Sequence, residues 1–388
     1  MRERVWAEVD LDAVRRNFGR IAERTGRRAM VVLKADAYGL GAVPIARAVE
    51  QAGAAMIGVG DSTEAIELRE AGIAVPIVVL GAIVDGEIEA VVRYQVSTTI
   101  HTADRLKRLT GEARRQNRRA PVHVMVDTGM GRLGASPARA LELLDMVSRD
   151  DALVLEGTAT HFSTPDDSDF TFHQLELFED LIARARAAGI PTGACHAAAT
   201  QALWRFPRTH LDLVRPGVLI QGIDPADLGV REAGFEPILA LRTQVIFLKD
   251  VPAGTPIGYC RTHVTPKATR IATLPVGYND GFPFSASNKA SVLIGGRRAH
   301  QVGRISMDYA MVDVGEVGDV RVGDTVTLVG REGGEEIRLE DLARDAGTLV
   351  YAVTCGLGKR VRHHYHGERP SLPMAGLRLP SRVDFASA

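Results

Sequence analysis

Cysteine is scarce in this 388-residue chain: Cys195, Cys260 and Cys355 are odd in number, far apart, and form no CxxC or metal-type spacing. That argues against a disulfide framework and against a cysteine-bound metal, and a reducing cytoplasm is the expected location. Long apolar runs are missing too. The opening MRERVWAEVD lacks a signal-peptide core, and no later stretch approaches the roughly 18 apolar residues of a membrane span. Charge of one sign is also absent: 47 Lys and Arg balance 48 Asp and Glu for a net charge of −1. Neither nucleic acid nor an acidic membrane surface is favoured as a partner, which leaves small molecules and further copies of the chain. There is no P-loop, no GxGxxG fingerprint, no low-complexity linker and no tandem repeat.

What is present is ample apolar material, 45% of residues, enough for two packed domains. Over the first 235 or so residues, short β-branched runs alternate with segments at helical spacing. The strand-like runs start at Ala29, Ala55, Pro76, Val96, Val122, Leu155, Thr192 and Leu211. Between them lie VPIARAVEQAG, STEAIELREAG and PARALELLDMVSRDD, with apolar residues every three or four positions and glycine near several ends. Eight strand–helix units over about 230 residues match a (β/α)8 barrel of the TIM type. An open doubly wound sheet would show the same alternation, but count and length favour the barrel.

After Pro237 the texture changes to short alternating runs punctuated by glycine and proline, such as LRTQVIFLKDV, ATRIATLPVG, ASVLIGGRRAHQVG and GDTVTLVGREGG. The expected organisation is therefore a barrel over residues 1–236 and a mainly-β domain over 237–388, with one late helix around RLEDLARDAG.

Barrel active sites collect past the C-terminal ends of the strands. Lys34 follows the first strand, Asp127 and Arg132 the fifth, His161 the sixth, His196 and Thr200 the seventh, and Arg215 lies at the eighth. Each alone is more often a solvated or structural residue; together they mark one rim. A lysine amine at a barrel mouth, partly desolvated by VVL, is expected to have a lowered pKa and to attack carbonyls, giving a Schiff base. RPGVLIQG offers backbone N–H groups for a phosphate. A phosphate-bearing aldehyde satisfies both, and pyridoxal 5′-phosphate is such a molecule.

The segments VLKADAYGLGA, VDTGMGRLG, THFSTPD, VRPGVL, IGYCRT, LPVGYNDGFP and VGRISMDYAMVDV closely resemble, in order and over almost the whole chain, the pyridoxal-phosphate-dependent alanine racemases. The resemblance implies a homodimer with shared active sites, interconverting L- and D-alanine by two bases and supplying D-alanine for cell-wall peptidoglycan. It implies that Lys34 carries the cofactor and serves one face of the substrate's α-carbon, with Tyr259 of the other subunit serving the opposite face. A phenol with a pKa of roughly 10 needs a neighbouring cation to ionise. Arg215 would face the pyridine nitrogen, supported by His161 and His196. Tyr38, Thr200, Gly217 and Val218 would bind the phosphate, the last two through backbone N–H. Arg132, Met307 and Asp308 would contact substrate, and Tyr278 would line the entrance. No metal is implied.

Several positions depart from the family pattern. Met125 stands where many relatives carry a carbamylated lysine that orients the arginine, so Arg132 needs another partner: an anion, Asp127 or a backbone carbonyl. Ala199 replaces an asparagine, Gln221 a tyrosine and Arg362 a proline. Other readings are a racemase of serine or of a broader range of amino acids, and a non-racemising pyridoxal-phosphate protein. A single-barrel carrier would not need the residues after Pro237. A two-domain decarboxylase would be expected to show a glycine-rich phosphate loop and a C-terminal cysteine–acid motif, neither of which is found.

Overall fold

The computed structural model describes residues 3–369. Its first strand, β1 (Val5–Asp10), alternates buried and half-buried positions. The following strands, β2 (Arg28–Val32), β3 (Met56–Val59), β4 (Ile77–Val79) and β5 (Ser97–Ile100), are buried almost continuously. Continuous burial is what a parallel sheet covered on both faces requires, whereas alternation suits an antiparallel sheet with one packed face. The eight expected barrel strands are all found: β2 to β5, then β6 (Ala120–Met125), β7 (Leu153–Ala159), β8 (Ala194–His196) and β9 (Leu213–Val214).

These eight pair in parallel in the order β8-β7-β6-β5-β4-β3-β2-β9. Between β8 and β9 the seam is carried by a parallel bridge from Ala199 to Arg215 and by the Asp212 N–H donating to Cys195 O at 3.0 Å. The sheet is therefore a nearly closed barrel. Met30, Met56, Val78 and Leu213, from four of its strands, form one buried cluster. Burial of each such side chain contributes about 1.5–3 kcal/mol. The segments at helical spacing are helices over Ala42–Gln51, Ser62–Glu70 and Pro137–Ser148. Asp61 caps the second by accepting from the Glu64 N–H, and the third starts on proline, whose missing N–H costs nothing there.

The mainly-β part holds β10 (Leu239–Gln244), β11 (Phe247–Val251), β14 (Thr269–Leu274), β15 (Ser291–Ile294), β16 (Arg297–Gln301), β17 (Ala310–Asp313), β18 (Thr325–Glu332), β19 (Glu335–Ile337) and β20 (Arg362–His366). A small hairpin pairs β12 (Pro256–Ile257) with β13 (His263–Val264). The large sheet runs β11-β14-β17-β16-β15-β18-β10-β1-β20, with β19 on β18. Thus β1 joins this sheet, antiparallel to β10 and parallel to β20. The compact unit around it gathers the chain up to Val14, Tyr38–Gly41 and Gln221–Glu368, while Arg15–Ala37 and Ala42–Ile220 make up the barrel unit. The expected late helix is Leu339–Ala346, closed by Gly347 in the left-handed region, and a second short helix, Val350–Cys355, follows it.

Candidate active site

Burial ends at Leu33, whose N–H donates to Gly58 O at 2.8 Å, and Lys34 itself is exposed. The desolvation expected from VVL is thus not seen at Lys34, because the chain turns out of the barrel at this residue. The helical turn Lys34–Gly39 is left-handed: φ is +54° at Ala35, +53° at Asp36, +52° at Ala37 and +60° at Tyr38. For L-residues this conformation costs about 1–2 kcal/mol each and persists only where the surroundings impose it. Glu64 does so from the neighbouring helix, its carboxylate accepting from the Ala35 N–H and, at 2.7 Å, from the Gly60 N–H. Asp36 accepts from the Ala42 N–H at 2.6 Å, and the Ala37 N–H closes the turn on Leu33 O at 2.8 Å.

Arg215 is 4% exposed, and every polar contact it makes is to a neutral group. Nη1 donates to His196 Nδ1 at 2.8 Å; Nη2 donates to Thr160 O at 2.9 Å, to Ala197 O at 2.7 Å and to His161 Nδ1 at 3.0 Å. No carboxylate is paired with it among the described residues. Because a guanidinium has no acceptor, both imidazoles must present a lone pair at Nδ1 and carry hydrogen on Nε2. Burial lowers the Arg215 pKa to about 10, so it stays charged at neutral pH. Burial, followed by the charges of Arg215, Arg132 and Lys34, depresses His161 to about 3. His196 is driven well below its ordinary value by burial and then by Arg215 and His123. Three cations, Lys34, Arg132 and Arg215, thus act on neutral His161, and Arg215 also on neutral His196.

Beside them the Gly217 N–H donates to Thr200 Oγ1 at 3.2 Å, and a 3-10 turn, Val218–Gln221, starts immediately afterwards. Met125 is buried at the end of β6 and offers Arg132 no charge. Asp127 does not hold Arg132 either. Its Oδ1 accepts from the N–H groups of Gly129, Met130 and Gly131 at 2.9, 2.9 and 3.1 Å, which shapes the loop instead. Those three bonds keep its carboxyl below the usual range against the opposing pull of desolvation. Arg132 is exposed and bonds to none of the described residues.

The remaining candidates belong to the other compact unit. Burial, reinforced by Cys355 and Tyr351, pushes the Tyr38 phenol above its ordinary value, so it remains a donor; its ring centroid lies 6.4 Å from that of Tyr351. Tyr259 opens the turn Tyr259–Arg261 and is 71% exposed; Met307 is 52% and Tyr278 45% exposed. The last two lie on segments bonded to each other: the Tyr278 N–H donates to Ser306 O at 3.0 Å and the Asn279 N–H to Met307 O at 3.3 Å. A Cβ on Gly277 would stand 2.3 Å from both Ser306 O and Met307 O, so only glycine allows this approach. Arg360 ties the pair down, donating from Nε and Nη2 to the buried Asp280 at 3.0 and 3.1 Å and from Nη1 to Asp308 at 2.7 Å. The sequence reading missed Arg360 and Glu64, because one partner of each lies far along the chain.

Residues 9–225 match the family model of the alanine racemase N-terminal domain, and residues 238–365 match that of the C-terminal domain. The chain belongs to the alanine racemase family. Among curated family members, that of Symbiobacterium thermophilum is 43% identical over 94% of this chain and 97% of its own length. That of Desulforamulus reducens is 40% identical over 95% of this chain and 100% of its own. The solved alanine racemase of a D-cycloserine-producing Streptomyces lavendulae superposes with a TM-score of 0.89 at 35% identity, covering 95% of this chain and 98% of that one. The alanine racemases are isomerases with a barrel and a β-domain, and both parts are present here.

Proposed function

We propose that this chain interconverts L- and D-alanine with pyridoxal 5′-phosphate held at the barrel mouth, Lys34 and Tyr259 moving the proton on opposite faces of the α-carbon. The observation that carries this reading is the gathering of Lys34, Arg132 and Arg215 around neutral His161, with no carboxylate paired to Arg215 among the described residues. Such a donor set suits an acceptor-rich anion, and the phosphate, phenolic oxygen and ring nitrogen of pyridoxal phosphate are acceptors of that kind. Lys34 would anchor it, Tyr38, Thr200 and the N–H groups of Gly217 and Val218 would hold its phosphate, and Arg215, backed by His161 and His196, would face its ring nitrogen. When bound, the cofactor supplies an electron-withdrawing ring that acidifies the substrate's α-hydrogen.

The side chains do the rest. Racemisation removes a proton on one side and delivers one on the other, so one base per face suffices: the Lys34 amine for D-alanine and the Tyr259 phenol for L-alanine. Arg215 keeps its own proton and would so offer the ring nitrogen a hydrogen bond instead of a proton, which would limit electron withdrawal and disfavour side reactions. Arg132, Met307 and Asp308 would contact the substrate and Tyr278 would line the entrance. A second copy of the chain would supply Tyr259, and the exposure of Tyr259, Met307, Tyr278 and Phe284 supports such a cover. D-Alanine made this way would feed cell-wall synthesis in the cytoplasm, where three cysteines that form no disulfide would stay reduced. No described helix is long and apolar enough to cross a membrane.

The deciding experiment is an absorbance spectrum of the purified protein followed by analysis of product chirality. The protein should be yellow, borohydride should fix the cofactor irreversibly on Lys34, and L-alanine should yield D-alanine faster than L-serine yields D-serine. Cofactor fixed on another lysine, or no D-alanine formed, overturns the reading. Mixing inactive Lys34→Ala and Tyr259→Ala subunits should restore part of the activity; heterodimers that form without complementation would overturn the shared site.

A further inference from the structure

The contacts of Arg215 do not stop at His196. His196 Nε2 lies 3.0 Å from His123 Nδ1, both rings fully buried, and His123 Nε2 lies 3.5 Å from a carboxylate oxygen of Glu156. The Glu156 side chain is only 14% exposed, and the same oxygen accepts from the hydroxyl of buried Ser97. Since Arg215 can only donate, the hydrogens follow in order: Arg215 N–H to His196 Nδ1 and His196 Nε2–H to His123 Nδ1, which leaves the hydrogen of His123 on Nε2, a nitrogen that makes no hydrogen bond to the described residues and faces the Glu156 carboxylate across 3.5 Å. A buried cation and a half-buried carboxylate thus terminate a line of two neutral imidazoles.

The backbone is shaped to make this possible. β6 and β7 pair Val122 with Leu155 and then His123 with Gly157, so Glu156 is the extra residue of a bulge. A bulge re-aims a side chain. Residue 157 must be glycine for the same arrangement, because a Cβ there would stand 2.5 Å from His123 Nδ1 and 2.6 Å from Ala194 O. Arg69, which also feels the charge of Glu156, is already engaged by Ile73 O and Val75 O at 2.9 and 2.7 Å.

We propose that Glu156 is a positioning residue for Arg215, acting through His123 and His196: its charge draws the His123 Nε2–H, makes each Nδ1 in the series a stronger acceptor, and so holds the guanidinium toward the barrel mouth. The inference rests on the cofactor-facing role proposed for Arg215 above. No bond is made or broken; the effect is electrostatic orientation.

The test uses the holoenzyme for kinetics and the cofactor-free protein, labelled with 15N-histidine, for spectroscopy. In the wild type both His123 and His196 should appear as neutral rings protonated at Nε2; a Nδ1-protonated His123 overturns the proposal without any variant. Glu156→Gln, which keeps shape and removes charge, should lower kcat roughly tenfold with KM for alanine within about twofold, and should shift the His196 Nε2–H resonance upfield. His123→Phe should give the same loss, and the double variant no more than either single one. Additive losses, or a Glu156→Gln enzyme with wild-type kcat and an unmoved His196 resonance, overturn it. A wild type that makes no D-alanine while its histidine signals are as described refutes the proposed function alone and leaves the series standing.

Discussion

Arg215 Nη1 stands 2.8 Å from His196 Nδ1, a contact that assigns the protons of both groups. The guanidinium cannot accept, so the imidazole must be neutral at that nitrogen, and a cation is held in the barrel with no carboxylate of the described residues paired to it. Removing one partner of such a contact leaves the other buried and unsatisfied, at a cost of about 1–3 kcal/mol. Conservative replacements at Arg215 or His196 should therefore cost stability as well as activity.

Acid should destabilise the fold earlier than in a protein whose histidines are solvated. His161 falls from an ordinary 6.5 to about 3 because of burial and then the nearby cations, and His196 shifts the same way. Between pH 6.5 and about 3 the unfolded chain binds protons that the native state refuses, so stability is complete above the unfolded value and declines as pH falls. The slope is up to about 1.4 kcal/mol per pH unit for each histidine. Urea midpoints at pH 7.5 and 5.0 measure it, and His161→Gln should flatten the dependence; identical midpoints for the wild type at both values would count against neutral native histidines.

Glu64→Ala should loosen the left-handed turn after Lys34. Two backbone N–H groups, of Ala35 and Gly60, lose their carboxylate, a loss of about 1–3 kcal/mol locally. Hydrogen exchange at Ala35 should rise, and borohydride labelling of Lys34 should become slower or incomplete. Unchanged exchange at Ala35 would mean that the turn is held by Asp36 and Leu33 instead.

Arg360→Ala should raise KM for alanine several-fold. It frees Asp308 and strips the buried Asp280 of its bidentate partner. Because Arg360 is itself 46% exposed, screening reduces the stability cost to about 1 kcal/mol. A KM equal to that of the wild type would show that the segments carrying Tyr278 and Met307 are held by their backbone bonds alone.

Tyr259→Phe removes the ionisable oxygen and keeps the ring. Exchange of the α-hydrogen of L-alanine with deuterated solvent should collapse, by roughly 100-fold or more, while exchange from D-alanine persists in part through Lys34. Equal residual exchange from both enantiomers would point to a single base and remove Tyr259 from the catalytic pair.

The barrel was legible from residue order because its strands are continuous apolar runs with helical spacing between them, a local signal that survives without knowledge of neighbours. The identities of Lys34, His161, His196, Thr200 and Arg215 as rim residues followed from the same rhythm, since a strand end is a position in sequence. β1 also carried a readable signal, the alternation of VWAEVD, but which sheet an alternating strand joins depends on a partner more than 200 residues away, Leu239–Gln244. The left-handed turn was not legible. KADAYG has ordinary helix formers, and it is contacts such as Glu64 reaching the Ala35 and Gly60 N–H groups from another helix that make the opposite hand tolerable.

Likewise nothing in DTGMGR reveals that Asp127 is spent on its own loop and so leaves Arg132 without a carboxylate partner among the described residues, because that depends on which backbone groups fold back toward the carboxylate. The series from Arg215 to Glu156 joins β5, β6, β7, β8 and the end of β9. Amino-acid order determined that these side chains exist at strand positions. Barrel closure, one bulge and one glycine decided that they touch, because proton direction and charge separation are properties of distances across the sheet and not along the chain.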